Sequence, residues 1–426
     1  MKSVAIIGTG IAGMACAHRL HPFVDLTLYE SEARPGGHTH TVDVYEDERS
    51  VPVDTGFMVY NEVTYPLMTQ LFSELGVETQ KTDMSFGVQY VPDGIEFCGS
   101  GLNRVFSQRR NLLRPRFLGM LRDVLRFNKQ ALAALADPAI LDLTLEGFVQ
   151  REGFGQAFLS YYLVPMTSAI WSTPPDEMLR FPAHTLIRFM YNHGLLGVHS
   201  HHQWRTVKGG SREYRNKLLA PFRDRVLCSR PATSLYQHDD GVTVRDSTGD
   251  SRLFDEVVVA THADTALGLL QNPDEDQRRL LSRFPYAANK ITLHSDDSVM
   301  PARKLAWAAW NYRIDPLKDG STQASTHYWM NRLQGVSDKR NYFVSVNEPG
   351  LVDPLKVHQE FTFDHPMFDK SSAEAQKELP QLNENRKLYF CGSYFRYGFH
   401  EDGVLSGYSA AERLLTHTAA HEKLAI

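Results

Sequence analysis

Six residues near the start of the chain have the types and spacing of a nucleotide-binding turn. The turn runs from Gly8 to Gly13 and reads Gly-Thr-Gly-Ile-Ala-Gly. It follows the apolar run 3–7 and precedes a stretch rich in small residues, so we expect it to connect a strand to a helix. Glycines there let the backbone approach a pyrophosphate, whose charge meets the amides at the helix N-terminus. The sequence therefore predicts a dinucleotide site formed by Gly8, Gly10, Ile11, Ala12 and Gly13.

Glu30 follows a second predicted strand, residues 25–29. A carboxylate at the end of this strand is placed to accept hydrogen bonds from a pair of ribose hydroxyls. Strand, glycine turn, helix, strand and acid together form the βαβ pattern of a parallel nucleotide-binding sheet. In that context a glycine turn without a ligand is the weaker explanation. The motif by itself does not distinguish NAD from FAD.

Composition limits the class of protein. The chain has 426 residues, 42% of them hydrophobic and 22% charged, and a net charge of −5. These values are typical of a globular protein with two domains, and they give no sign of a nucleic-acid partner. No apolar run approaches the roughly 20 residues that span a bilayer. The four cysteines are far apart, which favours a reducing, cytoplasmic setting and a soluble or peripheral protein.

Strand-like segments of the nucleotide-binding type recur along the chain. They occur at the start, in the run Val257 to Ala260, and again at 388–391. We therefore predict an α/β fold in which a discontinuous Rossmann-like domain (1–60, 205–265 and 385–426) carries an inserted α+β substrate domain (61–204 and 266–384). Residues 370–387 are polar and are predicted to form a linker. The last helix is predicted at 406–415.

The segment after Glu30 carries a family resemblance. It reads Glu-Ser-Glu-Ala-Arg-Pro-Gly-Gly-His-Thr over residues 30–39. With it the chain resembles the amine-oxidase superfamily of flavoproteins, which includes monoamine oxidase, protoporphyrinogen oxidase and phytoene desaturase. The resemblance implies FAD, with the glycine pair beneath the flavin diphosphate and ribityl chain. His38 stands where the family usually has arginine. The cofactor-binding residues implied here are Ser31, Arg34, Gly36, Gly37 and His38.

Further segments resemble the same superfamily in the right order. Residues 53–57 are similar to the loop that passes the isoalloxazine ring, and 230–232 to the strand that contacts adenine. Residues 257–261 resemble the strand that closes the FAD domain. Residues 390–393, together with 398–403, resemble the C-terminal flavin motif, in which Ser393 replaces the usual acid. The resemblance thus also implies contacts with FAD from Thr55, Gly56, Phe57, Ala232, Thr261, Gly392, Ser393, Asp402, Gly403 and Val404.

A narrower resemblance concerns the substrate. Residues 204–210, 307–312 and 328–334 look like a bacterial subgroup of FAD-binding oxidoreductases associated with cyclopropane-fatty-acid-synthase-like enzymes and with modification of phospholipid acyl chains. It implies hydride transfer from an apolar substrate, such as a phospholipid acyl chain, to flavin N5. Two alternatives stay open: an amine oxidase that releases peroxide, and a flavin-assisted isomerase or flavin-stabilised non-redox protein.

Two residues are candidates for the catalytic face. Alignment of Asp402-Gly403 with the C-terminal motif places His400 where monoamine oxidases have a tyrosine of the aromatic cage. The alternative is a structural loop histidine. Lys290 begins the segment Lys-Ile-Thr-Leu-His and resembles the lysine that holds a water near flavin N5 in amine oxidases. Its alternative is a solvated lysine at a strand end.

Three other features have two explanations each. The aromatic residues Trp307, Trp310, Tyr312, Tyr328 and Trp329 either line a cavity or pack as core, and core is favoured. The histidines His199, His201 and His202 have no ligand partner at suitable spacing, so we predict no metal. The segment 104–129 carries eight Lys or Arg residues and one acid, interleaved with apolar residues. It predicts either peripheral contact with an anionic membrane or a solvated helix face. The sequence leaves the oligomeric state open.

Overall fold

The computed structural model describes residues 1–197, 202–384 and 387–424, with side chains to residue 417. The strands are β1 (Ser3–Ile7), β2 (Asp25–Tyr29), β3 (Thr41–Glu46), β4 (Arg49–Asp54), β5 (Tyr60–Asn61), β6 (Thr79–Lys81), β7 (Phe86–Tyr90), β8 (Ile95–Cys98), β9 (Trp204–Val207), β10 (Val226–Leu227), β11 (Ala232–Gln237), β12 (Val242–Asp246), β13 (Ser251–Phe254), β14 (Glu256–Val259), β15 (Tyr286–His294), β16 (Trp310–Pro316), β17 (Thr322–Trp329), β18 (Phe343–Val346), β19 (Val357–Pro366) and β20 (Leu388–Phe390). The helices are α1 (Ile11–Leu20), α2 (Pro66–Glu74), α3 (Leu102–Val105), α4 (Pro115–Ala134), α5 (Leu145–Glu152), α6 (Gln156–Phe158), α7 (Val164–Trp171), α8 (Pro175–Met178), α9 (Ala183–Asn192), α10 (Arg212–Leu219), α11 (Ala263–Leu269), α12 (Glu275–Leu281), α13 (Met330–Leu333), α14 (Lys370–Glu378) and α15 (His400–Leu424).

A parallel sheet is assembled from distant parts of the chain. Its strand order is β10-β2-β1-β14-β20, and every neighbouring pair is parallel. Val257, Val258 and Val259 of β14 are fully buried because both faces of the sheet are covered. The predicted α/β class with a Rossmann-like sheet is confirmed. The domain boundaries drawn from the sequence stay a prediction.

The first and last helices pack closely beside this sheet. Glycines at 403 and 407 of α15 face α1, and a Cβ at Gly403 would lie 2.7 Å from Ile11 Cγ2, while one at Gly407 would overlap the carbonyl oxygen of Ala12. Small residues therefore set the distance between the two helices. This contact brings the C-terminal motif against the helix that follows the glycine turn.

The last helix begins at His400, six residues before the predicted start at 406. The carboxylate of Asp402 accepts the backbone N–H groups of Phe399, at 3.0 Å, and Tyr397, at 3.2 Å. An acid in the first turn that bonds back to the N–H preceding the helix is half of a capping box and stabilises the helix start. His400 thus lies in the first turn of α15, and not in a loop before it.

A second sheet has seven strands, which come from chain segments between those of the parallel sheet. Its order is β19-β15-β18-β17-β16-β7-β8, antiparallel except for the pair β16 and β7. The aromatic residues of β16 and β17 pack across the strands, as in the parallel-stacked pair Trp310 and Tyr328, whose ring centroids are 6.1 Å apart. The helices α4 to α9 enclose a separate aromatic core. The segments that were predicted to form the substrate domain therefore combine α-helices with a β-sheet.

The predicted linker 370–387 is wrong over residues 370–384. Helix α14 starts there with a capping box in which Asp369 and Ser372 exchange hydrogen bonds. Ala375, Leu379 and Leu382 are buried in the core beside the parallel sheet. Their spacing of four and three residues is helical, although the surrounding residues are polar. Residues 385 and 386 lie outside the described residues.

Candidate active site

The glycine turn leaves the N-terminus of α1 open. Gly8 has φ +98°, and a Cβ on it would lie 2.8 Å from the carbonyl oxygen of Ala260. A Cβ on Gly13 would overlap the carbonyl oxygen of Gly8. Gly10 precedes the helix without any side-chain cap, and a Cβ there would meet nothing within 4 Å. The uncapped amides of α1 therefore face open space, as a bound diphosphate requires.

Glu30 lies beside this turn, at the end of β2. Its buried carboxylate accepts hydrogen bonds from the backbone N–H of Thr9, at 3.0 Å, from the Thr9 hydroxyl, and from the N–H of Glu32, at 2.9 Å. Ser31 donates to the same carboxylate at 3.2 Å. The backbone N–H of Arg230 donates to the Glu30 carbonyl at 2.9 Å, which brings the start of β11, at Ala232, near this acid. The structure thus gathers the residues predicted for the adenosine half.

Two guanidinium groups lie next to the glycine pair. Arg34 donates to the carbonyl of Gly37 at 3.0 Å, and Arg215 of α10 donates to the carbonyl of Pro35 at 3.4 Å. Gly36 makes room for Arg215, whose Cδ would lie 2.7 Å from a Cβ at that position. Burial, and next the charge of Arg215, lowers the pKa of Arg34, and burial also lowers the pKa of Arg215.

Neither of these arginines has a carboxylate partner within ion-pair distance among the described residues. Two partly buried, uncompensated guanidiniums beside a glycine turn are the donors that bind phosphate oxygens. Arg215 was not predicted from the sequence, because it is 181 positions after Arg34 and belongs to no local motif. The only feature of the sequence that pointed to Arg215 was its position shortly after residues 204–210, one of the segments that carry the family resemblance.

The glycine pair brings the next segment against the turn. A Cβ on Gly37 would lie 3.3 Å from the Cα of Gly10. The backbone N–H of Phe57 donates to the carbonyl of His38 at 2.8 Å, and that of Thr55 donates to His40 at 2.9 Å. A Cβ on Gly56 would overlap the carbonyl of His38. The segments 36–40 and 55–57, which were both predicted to contact FAD, thus run side by side.

His38 is the centre of a buried cluster of rings. Its ring centroid lies 4.7 Å from Phe363, 5.3 Å from His365 and 6.3 Å from His262. Burial, and then His365, His262 and His400, lowers the pKa of His38 well below its usual value, so the ring is neutral at pH 7. Its Nε2 atom is buried without a hydrogen-bond partner. Buried polar atoms are rarely left unpaired, so this atom fits a bound ligand.

His400 lies close to Phe57 from the isoalloxazine loop. The two rings are nearly parallel, with an interplanar angle of 23°. His400 Nε2 lies 3.4 Å from the hydroxyl of Thr39, which is 2.6 Å from the hydroxyl of Tyr214. Burial lowers the pKa of His400 to about 3, so this ring is also neutral. The structure therefore brings His400 together with Phe57, Thr39 and Tyr214, which come from three other segments of the chain.

Lys290 is not brought into this group. Its side chain is 50% exposed and pairs with Glu360 at 2.7 Å. Successive residues of a strand point to opposite faces. Asn289 is buried and bonds to His365, within the His38 cluster, so Lys290 faces the other side of β15. The resemblance to the lysine of amine oxidases therefore gives no residue beside the flavin segments here, because the register of β15 turns that side chain outward.

The remaining residues of the C-terminal motif lie at the junction of β20 and α15. The N–H of Gly392 donates to the Ser406 hydroxyl at 3.0 Å, and Val404 is fully buried against α1. Burial raises the pKa of Asp402 to about 6. Ser393 begins a short turn, in which its carbonyl accepts from Arg396 at 3.1 Å. Thr261 follows β14, where its backbone adjoins the loop of Gly392.

An open cleft adjoins the start of α15. Its volume is about 580 Å³, within the range of small-molecule sites. The walls include Tyr65 and Pro66 at the start of α2, Tyr191 and His193 at the end of α9, and Tyr397, Phe399, Glu401 and Asp402 around the start of α15. Phe399 precedes His400 directly. The cleft thus lies next to the residues expected at the flavin ring.

The described residues contain no group of three His, Cys, Asp or Glu side chains arranged to hold a metal ion. Of the three clustered histidines, His199 and His201 lie outside the described residues, and His202 Nε2 lies 2.9 Å from the carbonyl of Asn192. In the described helices we also find none that is both long and apolar enough to cross a membrane.

The parallel sheet, the glycine turn with its acid and the converging C-terminal motif define a dinucleotide-binding flavoprotein fold. The sequence profile of the flavin containing amine oxidoreductases matches residues 11–342, and the chain belongs to that family. The protein is an FAD-dependent oxidoreductase of the amine-oxidase type. The open amides of α1, the Arg34 and Arg215 pair and the unpaired Nε2 of His38 fit this cofactor.

Solved structures share the fold across almost the whole chain. Cyclohexylamine oxidase from Brevibacterium oxydans IH-35A is 18% identical, with a TM-score of 0.70 and coverage of 98% of this chain and 99% of that one. A CLA-producing fatty acid isomerase from P. acnes is 15% identical, with a TM-score of 0.66 and coverage of 98% of each chain. Reduced UDP-galactopyranose mutase is 15% identical, with a TM-score of 0.67 and coverage of 98% and 96%. No curated protein matches the sequence.

Proposed function

We propose that the protein dehydrogenates an apolar substrate, a fatty acyl chain carried by a phospholipid. The observation that carries this proposal is the chemistry of the cleft beside His400: three tyrosines and a phenylalanine are among the residues of its walls, and its two acids already accept backbone N–H groups. Bound FAD supplies the hydride acceptor. The residues of the chain bind and orient the substrate and exclude water from it.

The aromatic wall continues into the core of the helical insert. Phe399 stacks on Phe189, with centroids 5.1 Å apart and an angle of 23°. Phe189 in turn stacks on His193 at 3.8 Å and packs against Trp171 at 4.7 Å. Apolar surface buried against such walls contributes roughly 25 cal/mol per Å². A long alkyl chain gains more from this surface than a small polar amine does.

The acids of the cleft stabilise helix starts. Glu401 accepts the backbone N–H groups of Leu67, at 2.8 Å, and Met68, at 2.9 Å, which are the first free donors of α2. Asp402, in the first turn of α15, accepts the backbone N–H groups of Phe399 and Tyr397, which precede that helix. Two of the roughly four acceptor sites of each carboxylate are thus already used, which reduces its capacity to bind a substrate ammonium group. This arrangement favours a lipid over an amine.

A cation lies at the edge of the same cleft. The Arg396 side chain is 49% exposed, and its closest acid, Asp402, is 3.8 Å away. A guanidinium at the opening suits a phosphate or carboxylate head group. The proposed arrangement therefore places the acyl chain along Tyr65 and Phe399 and the head group near Arg396.

The test is anaerobic mixing of the holoprotein with detergent-solubilised phospholipids of defined acyl chains and, separately, with primary amines and polyamines. Bleaching of the visible flavin band by a lipid, together with loss of two hydrogen atoms from its acyl chain in mass spectrometry, supports the proposal. Bleaching by amines alone, with peroxide released in air, would assign an amine oxidase and overturn it.

An isomerase acting on the same lipid is a second candidate. It is supported by the shared fold of the CLA-producing fatty acid isomerase, whose name refers to a fatty acid. The same experiment separates the two activities. An isomerase returns a product with the mass of the substrate and leaves the flavin oxidised after turnover, whereas a dehydrogenase leaves it reduced until an acceptor is added.

A further inference from the structure

One exposed face of α4 alternates leucines with cations. Leu118, Arg122, Leu125, Lys129 and Leu132 follow one another at steps of four, three, four and three residues, so they form a single stripe along the helix. Leu125 is 61% exposed, and the other two leucines are also exposed. The opposite face is buried through Phe117, Met120 and Phe127, which fix the helix to the protein.

The only acid of α4 points away from the stripe. Asp123 is buried, and its carboxylate accepts the N–H of Gly155 at 3.0 Å. Arg122 lies 3.6 Å from one oxygen of Asp123, but its side chain is largely in solvent. The stripe therefore presents positive charge on a protein whose net charge is −5.

The turn before α4 carries the same combination of exposed leucines and arginines. Leu113 is 87% exposed, and Leu112 beside it is also exposed. Arg109 and Arg110 of the same turn are exposed and donate to the carbonyls of Phe106, at 2.7 Å, and Gly94, at 2.8 Å. Within the described residues neither has a carboxylate at ion-pair distance. The two guanidinium groups thus donate hydrogen bonds to carbonyl oxygens, but no negative charge neutralises them.

We propose that this surface, formed by Arg109–Leu113 and the stripe 118–132 and named here the α4 surface, binds the anionic face of a phospholipid bilayer. Leucines enter the boundary between head groups and acyl chains, and the interleaved Arg and Lys side chains contact lipid phosphates. Each basic residue near an anionic surface contributes about a five-fold increase in binding. A lipid-facing surface of this kind stands independently of the proposed substrate.

Charge distinguishes this occupant from a second copy of the chain. The spacing of the stripe is close to that of a helix-pairing seam. A symmetric pair of α4 helices would bring Arg122 and Lys129 of both copies together without an acid between them. Like charges at such an interface are unfavourable, whereas lipid phosphates compensate them.

The test is sedimentation of the full-length holoprotein with vesicles of phosphatidylcholine alone or mixed with phosphatidylglycerol. We expect binding to the mixed vesicles that weakens with salt and little binding to the neutral ones. The double variants Leu112→Ser with Leu113→Ser, and Arg122→Gln with Lys129→Gln, are each expected to lower the partition coefficient at least about ten-fold. Matched controls are Leu355→Ser, at a leucine 95% exposed elsewhere, and Lys318→Gln.

Several outcomes would overturn the proposal. They are equal binding of wild type and both double variants, equal loss in the control variants, or no binding to anionic vesicles at low salt. A dimer in light scattering that the leucine variant dissociates would assign the surface to a second copy. Flavin reduction by a detergent-solubilised substrate is expected to be unchanged in all variants, so failure of the substrate proposal and failure of the membrane proposal give different results.

Discussion

The imidazole of His400 stacks on the ring of Phe57 with their centroids 4.1 Å apart, although 343 positions separate the two residues in the chain. The contact joins the first turn of α15 to the loop that follows β4. This stacking contact fixes the position of α15 relative to the loop that was predicted to pass the flavin ring. Its removal tests whether His400 acts at the substrate face.

His400→Ala removes the stacked ring, and we expect turnover of the lipid substrate to fall about ten-fold or more, because a misplaced reacting group lowers the rate steeply. The FAD content is expected to remain near that of the wild type. His400→Phe keeps an aromatic ring on Phe57 and is expected to recover part of the rate. Unchanged kcat in the alanine variant would remove His400 from the candidate site.

Gly10 and Gly13 offer a matched pair of glycine-to-alanine changes. Gly10 has φ −60° and open space around its missing Cβ, so Gly10→Ala is expected to keep the stability of the apoprotein but to weaken FAD binding by occupying the cradle. In Gly13→Ala the methyl group overlaps the Gly8 carbonyl, so the apoprotein itself is expected to be destabilised. Thermal unfolding without FAD and fluorescence titration with FAD measure the two effects. Full FAD affinity in Gly10→Ala would contradict the placement of the diphosphate.

Arg215→Gln tests the second guanidinium. Loss of a charge-assisted bond to phosphate costs about 1.5–3 kcal/mol, so the Kd for FAD is expected to rise about ten-fold or more. Arg278→Gln, at an exposed arginine of α12, is the control. An equal Kd in the two variants would show that Arg215 does not contact the cofactor.

Arg396→Gln tests the head-group position. We expect KM for a phospholipid to rise while kcat changes little, because the residue binds the head group away from the reacting carbon. The effect is expected to vanish with an uncharged acyl ester. Arg332→Gln serves as the control, since Arg332 is similarly exposed and pairs with Asp83 on another surface. A drop in kcat with unchanged KM would contradict this assignment.

Stability is expected to fall as the pH drops from 6.5 toward 4. Burial lowers the pKa of His193 and His294 to about 4, below the 6.5 of the unfolded chain, so the unfolded state binds protons first and is favoured. The cost is on the order of 3 kcal/mol for each of these two buried histidines. Burial raises the pKa of Asp54 and Asp402 to about 6. In the folded protein these acids take up protons at a higher pH than in the unfolded chain, so they offset part of the stability that the histidines remove. Urea unfolding on both sides of this window measures the balance, and a free energy of unfolding independent of pH would contradict it.

The sequence predicted best what is local. The glycine turn, Glu30 and the helix after the turn are contiguous, so spacing alone identifies them. Arg215, His262 and His365 escaped prediction because their proximity to residues 34–38 depends on tertiary packing. The start of α15 was missed for a similar reason: it depends on which N–H groups the Asp402 carboxylate accepts. Lys290 shows the limit of resemblance, since one position of register in β15 reverses the direction of a side chain.

The pairing of α1 with α15 has a consequence for synthesis of the protein. The helix made first from the ribosome finds its close-packed neighbour only when the last one emerges, because Gly403 and Gly407 supply the complementary surface. The parallel sheet likewise lacks its outer strand β20 until then. Assembly of this half therefore depends on contacts of very long sequence separation, which form slowly. A nascent chain that has not yet released α15 has no finished cradle, so we expect cofactor capture only after α15 has been synthesised.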